Sequence, residues 1–306
     1  MLTRVSDRIS IIDTEALGRQ RVVAAYLVRG KENALIDMGY RSSSEVVIRD
    51  LENEGLGPDN LDYLLPTHVH LDHAGSCGSL AQHFPHAIVR VHPVGEPHLI
   101  NPTRLVEGVK ELFGEDLSSR YGFPVPINKQ RVRSIGDDES VDLGGGAELR
   151  CVWTPGHASH HLSYAFDDEG VMFTGDAVGV TYPDFPTLVP TTPPSSFNLA
   201  KAIESINRIL ELSPAQLCTP HFGILNDAKA KLIENVTVLL DWKAMFDSFI
   251  AGKYTIDEMT RILTEKACKP IGRSAGEVPD HLRVLIRIDV LGFTRYLTRL
   301  KPSETR

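Results

Sequence analysis

Short apolar runs rich in β-branched residues open the chain: Ile9 to Thr14, Arg21 to Val28 and Ala34 to Asp37, separated by Gly, Lys and Asn. Runs of this length bounded by turn residues predict strands. Ser42 and Glu45 then have the spacing of a capping box. Val46, Val47, Ile48 and Leu51 follow, and Gly55 offers a stop. Together they predict a helix of about three turns. Leu61 to Pro66 reads as a further strand and runs straight into THVHLDHAG (residues 67–75), so this polar motif stands at a strand's C-terminal end. SCGSLAQHF after it is helix-like, and HAIVRVH returns to strand character. Pro93 to Ser134 hold five prolines and a helical patch at Leu105, Val109 and Leu112. They predict an irregular insertion near the motif, suited to walling a pocket.

From Glu148 strand character resumes in ELRCVWTPGH, HLSYAF and GVMFTGDA. A periodic helix over Asn198 to Leu212 is expected to bury Leu199, Ala202, Ile203, Ile206, Ile209 and Leu210, and AQLCTPHF supplies one more strand. Strands and helices alternate through two similar halves, which predicts a layered α/β fold. Past Asn226 the pattern is helical only, over Ala228 to Ala251, Ile256 to Lys266 and Asp280 to Arg299. The expected division is a catalytic domain over 1–225 and a helical cap over 226–306. Leu232, Val236, Leu239, Leu240, Trp242, Phe246 and Phe249 are too many for one stripe, so the cap is expected to pack on the core or on a second copy in a homodimer. Its aromatic residues, with Phe293 and Tyr296, either fill a core or line an entrance.

Composition narrows the function classes. With 306 residues, 42% hydrophobic and 24% charged, the chain has the make-up of a globular protein with a full core. A net charge of -8 argues against a nucleic-acid partner, which needs concentrated Lys and Arg. Cys77, Cys151, Cys218 and Cys268 form no C-x-x-C pair, so buried reduced thiols are expected rather than a disulfide framework or a cysteine zinc site. The first residues lack the apolar core of a signal peptide, and no apolar run is long enough to cross a membrane. These readings predict a cytoplasmic address and no membrane partner, and the partner expected is a small-molecule substrate.

Within six residues lie His68, His70, Asp72 and His73. Alternation along an extended turn would point His68, His70 and Asp72 the same way. Imidazole and carboxylate donors suit zinc, iron or manganese. Three more strand ends carry such donors: His157 after Thr154-Pro155-Gly156, Asp176 after Thr174-Gly175, and His221 after Thr219-Pro220. A single histidine after a strand is more often a hydrogen-bonded loop residue than a ligand. Five histidines and two aspartates at strand ends point instead to a metal site. His161 reads as support for that site and His160 as exposed, and Gly144-Gly145-Gly146 lacks the continuation of a phosphate loop and predicts a turn.

THVHLDHAG resembles the H-x-H-x-D-H signature of the metallo-β-lactamase-fold hydrolases, and TPGH, TGDA and TPHFG are similar to that superfamily's later motifs, in order, over residues 1–225. The resemblance implies a four-layer αββα sandwich with a C-terminal helical extension. It also implies two divalent metal ions, zinc first and iron or manganese as alternatives. His68, His70 and His157 would hold one ion, Asp72, His73 and His221 the other, and Asp176 would bridge them. The implied chemistry is hydrolysis of ester-type bonds (thioester, lactone, carboxylic ester or phosphoester) by a metal-bridging hydroxide, with Asp72 the candidate catalytic residue for handling a proton. Asp37, in LIDMG, matches a position that supports the site from outside.

The glyoxalase II, lactonase and quinolone-signal-response thioesterase branches are the most similar. No set of basic residues matches a glutathione site, and Gly179 stands where a lactonase would carry tyrosine, with Tyr182 the nearest substitute. The competing class is a mononuclear iron oxidoreductase of the persulfide-dioxygenase type, which would leave His73 and His221 unneeded as ligands. A binding protein acting through its cap is a third, against which the complete ligand set weighs. Every candidate ligand precedes residue 226, so shortening the cap is expected to alter substrate preference more than metal content.

Overall fold

The early β-branched runs pair in chain order. β1 (Leu2–Arg4), β2 (Ile9–Asp13), β3 (Ala24–Arg29), β4 (Asn33–Ile36), β5 (Tyr63–Leu65), β6 (Ile88–Val91) and β7 (Val132–Ser134) form one seven-stranded sheet, antiparallel as far as β4 and parallel from there on. These observations come from a computed structural model that describes residues 2–194 and 196–300. The chain divides into two units. The first contains the residues up to Trp153, His160–Gly175 and Pro214–Asn226. The second contains Thr154–Ser159, Asp176–Ser213 and the residues from Asp227 onward.

The first unit also holds a six-stranded sheet. Its strands are β8 (Ser140–Gly144), β9 (Ala147–Trp153), β10 (Leu162–Phe166), β11 (Val171–Phe173) and, after the hairpin β12 (Val180–Tyr182) and β13 (Phe185–Val189) of the second unit, β14 (Gln216–Thr219) and β15 (Gly223–Leu225). The triple glycine makes the β8–β9 turn, as expected. Side chains of a strand alternate between faces. Ile9, Ile11, Tyr26 and Val28 therefore pack against Cys151, Leu162, Tyr164 and Phe173 of the second sheet. Ile12, Leu27 and Leu35 face the other way, onto Val47 and Leu51 of α1 (Ser44–Asn53) and, beyond the short α2 (Leu71–Ala74), Cys77 and Leu80 of α3 (Cys77–His83). Burial on both faces is why these strands are nearly continuously apolar.

Tyr26 ties the two sheets together. Its ring lies edge-on to Phe173 at 5.3 Å, and its hydroxyl donates to the carbonyls of Thr219, at 2.7 Å, and Gly223, at 3.0 Å. Burial raises its pKa, so the phenol stays a donor. The two carbonyls flank the turn that carries His221. Tyr26→Phe should therefore lower the unfolding free energy by about 1–3 kcal/mol, because buried acceptors lose their donor. Urea unfolding measures this, and a loss below a few tenths would contradict it.

Two local expectations are corrected. The Ser42 and Glu45 capping box does not form: residues 41–43 make a 3-10 turn and α1 starts at Ser44, with no side-chain cap bond at its N-terminus. The stretch 93–134 is largely helical, with α4 (Glu96–Ile100), α5 (Thr103–Phe113) and α6 (Glu115–Tyr121) before β7. Its prolines do not interrupt these helices. Pro97 lies in the first turn of α4 and Pro102 at the cap of α5, where a missing N–H costs no helical bond.

In the second unit α7 (Leu199–Leu212), α8 (Ala228–Ala251), α9 (Ile256–Cys268) and α10 (Asp280–Leu300) lie within two residues of the expected bounds. Asn198 and Asp227 cap α7 and α8, and Thr255 with Glu258 forms a capping box for α9. Phe246 and Phe293 stack at 4.7 Å with Trp242 and Phe249 beside Phe246, so these aromatic residues build a core. Leu240 departs from expectation and is 51% exposed. All four cysteines are buried thiols, and no described helix is long and apolar enough to cross a membrane.

Candidate metal centre

Beyond β5 the chain bends at Thr67 and His68, and His70 caps α2 with φ -64° and ψ 156°. Strand alternation therefore relates neither His68 nor His70 to Asp72. Asp72 and His73 lie in the helical turn, and this corrects the expectation of one shared face. The turn aims Asp72 at His73 and His221: Asp72 Oδ2 is 3.6 Å from His73 Nε2 and 3.6 Å from His221 Nε2. All three donors lie within 4.8 Å of one another. Such separations are too long for hydrogen bonds. They fit donors around one ion, since two tetrahedral ligands each about 2.1 Å from a metal stand about 3.4 Å apart. His68 Nε2 lies 2.9 Å from His70 Nδ1, and the His68 ring is 4.0 Å from that of His73.

Buried polar groups aim these imidazoles. Asp37 follows β4 with φ 53° and is 2% exposed. Its Oδ2 lies 3.0 Å from His73 Nδ1, and its Oδ1 accepts from Thr67 N at 2.8 Å and Thr67 Oγ1 at 3.0 Å. Thr67 Oγ1 in turn lies 3.1 Å from His68 Nδ1. The network assigns the proton to Nδ1 of both rings and leaves each Nε2 lone pair for a ligand role. Asp37 thus occupies the supporting role expected of it. Thr67 was not singled out in the sequence; its one signal is that it directly precedes His68.

In the second unit His157 and Asp176 are both buried, with His157 Nε2 3.6 Å from Asp176 Oδ2. His157 Nδ1 donates to the Thr191 carbonyl at 3.2 Å, and Thr191 Oγ1 donates to the Asp176 carbonyl at 2.8 Å. Thr191 carries no local sequence signal. The first unit thus brings His68, His70, Asp72, His73 and His221 together, and the second brings His157 to Asp176. The clustered His and Asp donors on this scaffold are compatible with a dinuclear metal site.

One neighbour differs from expectation. His160 is half-buried rather than exposed, its ring 6.2 Å from His68 and 6.1 Å from His70. Burial, and then the adjacent His70, His161, His98 and His92, push its pKa down to about 3, so the ring is neutral. His161 is fully buried, as a supporting residue should be. A Cβ on Gly175 would come within 2.5 Å of His161 Nε2 and 2.7 Å of Thr67 Oγ1, so only glycine fits directly before Asp176.

The insertion also contributes. Tyr121 stacks on Tyr40 at 4.6 Å, and burial followed by the Asp72 charge raises its pKa to about 12. At Gly179 a Cβ would meet the Val189 carbonyl at 2.5 Å, leaving no room for tyrosine, and Tyr182 is buried edge-on to His281 at 4.7 Å.

The metallo-beta-lactamase superfamily pattern matches residues 18–221. The metallo-beta-lactamase fold-containing protein ST1585 of Sulfurisphaera tokodaii is 32% identical over 171 residues, 55% of this chain and 63% of that one. The atrochrysone carboxyl ACP thioesterase AacuM of Aspergillus aculeatus is 25% identical over 151 residues, 49% of this chain and 37% of that one. The chain thus spans less than two thirds of either relative by sequence. The crystal structure of ST1585 from Sulfolobus tokodaii superposes with a TM-score of 0.70 at 23% identity, covering 94% of this chain and 99% of that one. TTHA1429 from Thermus thermophilus gives 0.67 at 21%, covering 97% and 95%. The fold is the αββα-like sandwich of mixed sheets flanked by helices, with additional C-terminal helices. With this match over two thirds of its length, the chain belongs to the metallo-beta-lactamase superfamily.

Proposed function

We propose that the chain is a dinuclear metal-dependent hydrolase of ester-type bonds, with thioesters first among its cytoplasmic small-molecule substrates. In this reading His68, His70 and His157 hold one ion, Asp72, His73 and His221 the other, and Asp176 is shared. The observation that carries it is the Asp72, His73 and His221 triad, a second donor set that a mononuclear iron oxygenase would not need. Chain connectivity supports the first set: Asp176 directly follows Gly175, which packs on Thr67 and His161, and His157 lies three residues before His160, whose ring is beside His68 and His70.

When bound, the ions supply Lewis acidity and lower the pKa of water to near neutrality. The protein's part is to orient donors. Asp37, Thr67 and Thr191 engage the Nδ1 atoms of His73, His68 and His157 and present Nε2. Asp72 also handles a proton in this reading, a role secondary to metal binding because ligation lowers its basicity. Thioesters rank first because AacuM is named as a thioesterase and because Gly179 and Tyr182 offer no lactonase-type phenol. Residues 1–225 then carry the chemistry, and the helices over 226–306 select the substrate.

A panel of a thioester, a lactone, an aryl ester and a phosphotriester tests this on the zinc-loaded chain. The thioester should have the largest kcat/KM, with two ions bound per chain. A single bound iron, or no turnover of any of the four with two metals present, would overturn the reading.

A further inference from the structure

Asp289 and Gly292 lie three residues apart on α10, hence on one face of that helix. Both meet the segment that follows β13. A Cβ on Gly292 would come within 1.7 Å of the Thr192 carbonyl, so helix and segment touch backbone to backbone. Asp289 is 1% exposed; its Oδ1 accepts from Thr192 N at 2.5 Å, and its carbonyl accepts from Thr192 Oγ1 at 2.9 Å. The preceding residue, Thr191, accepts from His157 Nδ1 and donates to the Asp176 carbonyl.

We propose that Asp289 and Gly292 are positioning residues for the metal donors His157 and Asp176, acting through Thr192 and Thr191. The proposal rests on the metal-site reading above. Without the clamp, Thr191 has no fixed place from which to hold the His157 tautomer and the Asp176 backbone. The last helix then contributes to metal affinity although it carries no ligand. This revises the expectation that shortening the helical segment alters substrate preference more than metal content.

Burial holds the Asp289 carboxyl well above the usual carboxylate range, against the lowering effect of its Thr192 bonds. Its Oδ2 has no hydrogen-bond partner among the described residues, which costs a neutral acid less than an ion. Asparagine has the same shape, its Oδ1 can accept from Thr192 N, and the bond to the main-chain carbonyl is unchanged. It is therefore the conservative replacement.

The test uses the full chain loaded with cobalt, reading metal affinity by chelator competition and geometry by the cobalt absorption spectrum. Asp289→Ala should weaken affinity by about 10–100-fold, the range for groups that orient a ligand, and alter the spectrum. Asp289→Asn should restore both. Leu297→Ala, a buried change on the same helix, should lower the unfolding midpoint and leave affinity and spectrum alone. If Asp289→Ala does not fold, Thr192→Val decides, since it removes the clamp's hydroxyl and should also weaken affinity. Wild-type affinity and spectrum in Asp289→Ala, or in Thr192→Val, would overturn the proposal alone. A wild-type chain that takes up no cobalt would overturn the metal reading and this proposal together.

Discussion

Stripping the metal ions with a chelator should reduce the proposed thioester hydrolysis to background, and adding zinc, manganese or cobalt should restore it. The cysteines offer no alternative nucleophile of comparable strength. All four cysteines are buried, and burial pushes the Cys77 and Cys218 thiols up, away from the thiolate form. Water with its ordinary pKa of about 16 is almost entirely protonated at neutral pH, whereas an ion can bring that value to about 7. Removal of the ions should also be visible without turnover. A ligand present at about 1,000 times its Kd adds about 4 kcal/mol to stability, so the stripped chain should melt at a lower temperature. Turnover, metal content by mass spectrometry and thermal unfolding are measured on one sample. Undiminished turnover in a demonstrably metal-free chain would refute the mechanism.

Asp176→Asn should lower kcat/KM by more than about 100-fold, whereas His160→Ala should cost about 10-fold or less. Groups that merely orient a ligand are worth about 10–100-fold, so loss of a shared charged ligand should exceed that range. Asparagine keeps the shape of Asp176 and leaves the Thr191 bond to its backbone intact, and only the charge facing His157 disappears. His160 is close to His68 and His70 but neutral, and its Nδ1 has no hydrogen-bond partner among the described residues. Equal losses in the two variants would mean that the ligand assignment is wrong.

Much of this site is legible in the chain because its donors occupy strand ends, and strand ends are marked by contiguous residues. A run such as Leu61 to Pro66, or GVMFTGDA, displays its periodicity and its terminating turn within ten residues. Helices α8 and α9 were legible for the same reason, each with a capping residue and a stop. Legibility failed where a local signal competed with packing. Ser42 and Glu45 have capping spacing, yet Ser44 Oγ bonds Arg41 and Ser76 and the helix starts later. Leu240 counts as apolar in any pattern, yet it lies on the exposed side of α8.

The sequence by itself determined the layered α/β class, the order of the motifs and which His and Asp side chains are candidate donors, since these follow from short-range periodicity and residue chemistry. Only the tertiary structure decided how those donors are aimed. His73 is held by Asp37, 36 residues away, and His157 by Thr191, 34 residues away. Thr192 is held by Asp289, 97 residues away. A hydrogen bond needs its partners within about 3 Å but sets no spacing along the chain. Partners of this kind leave no periodic trace, and only packing of the surrounding strands and helices brings them together.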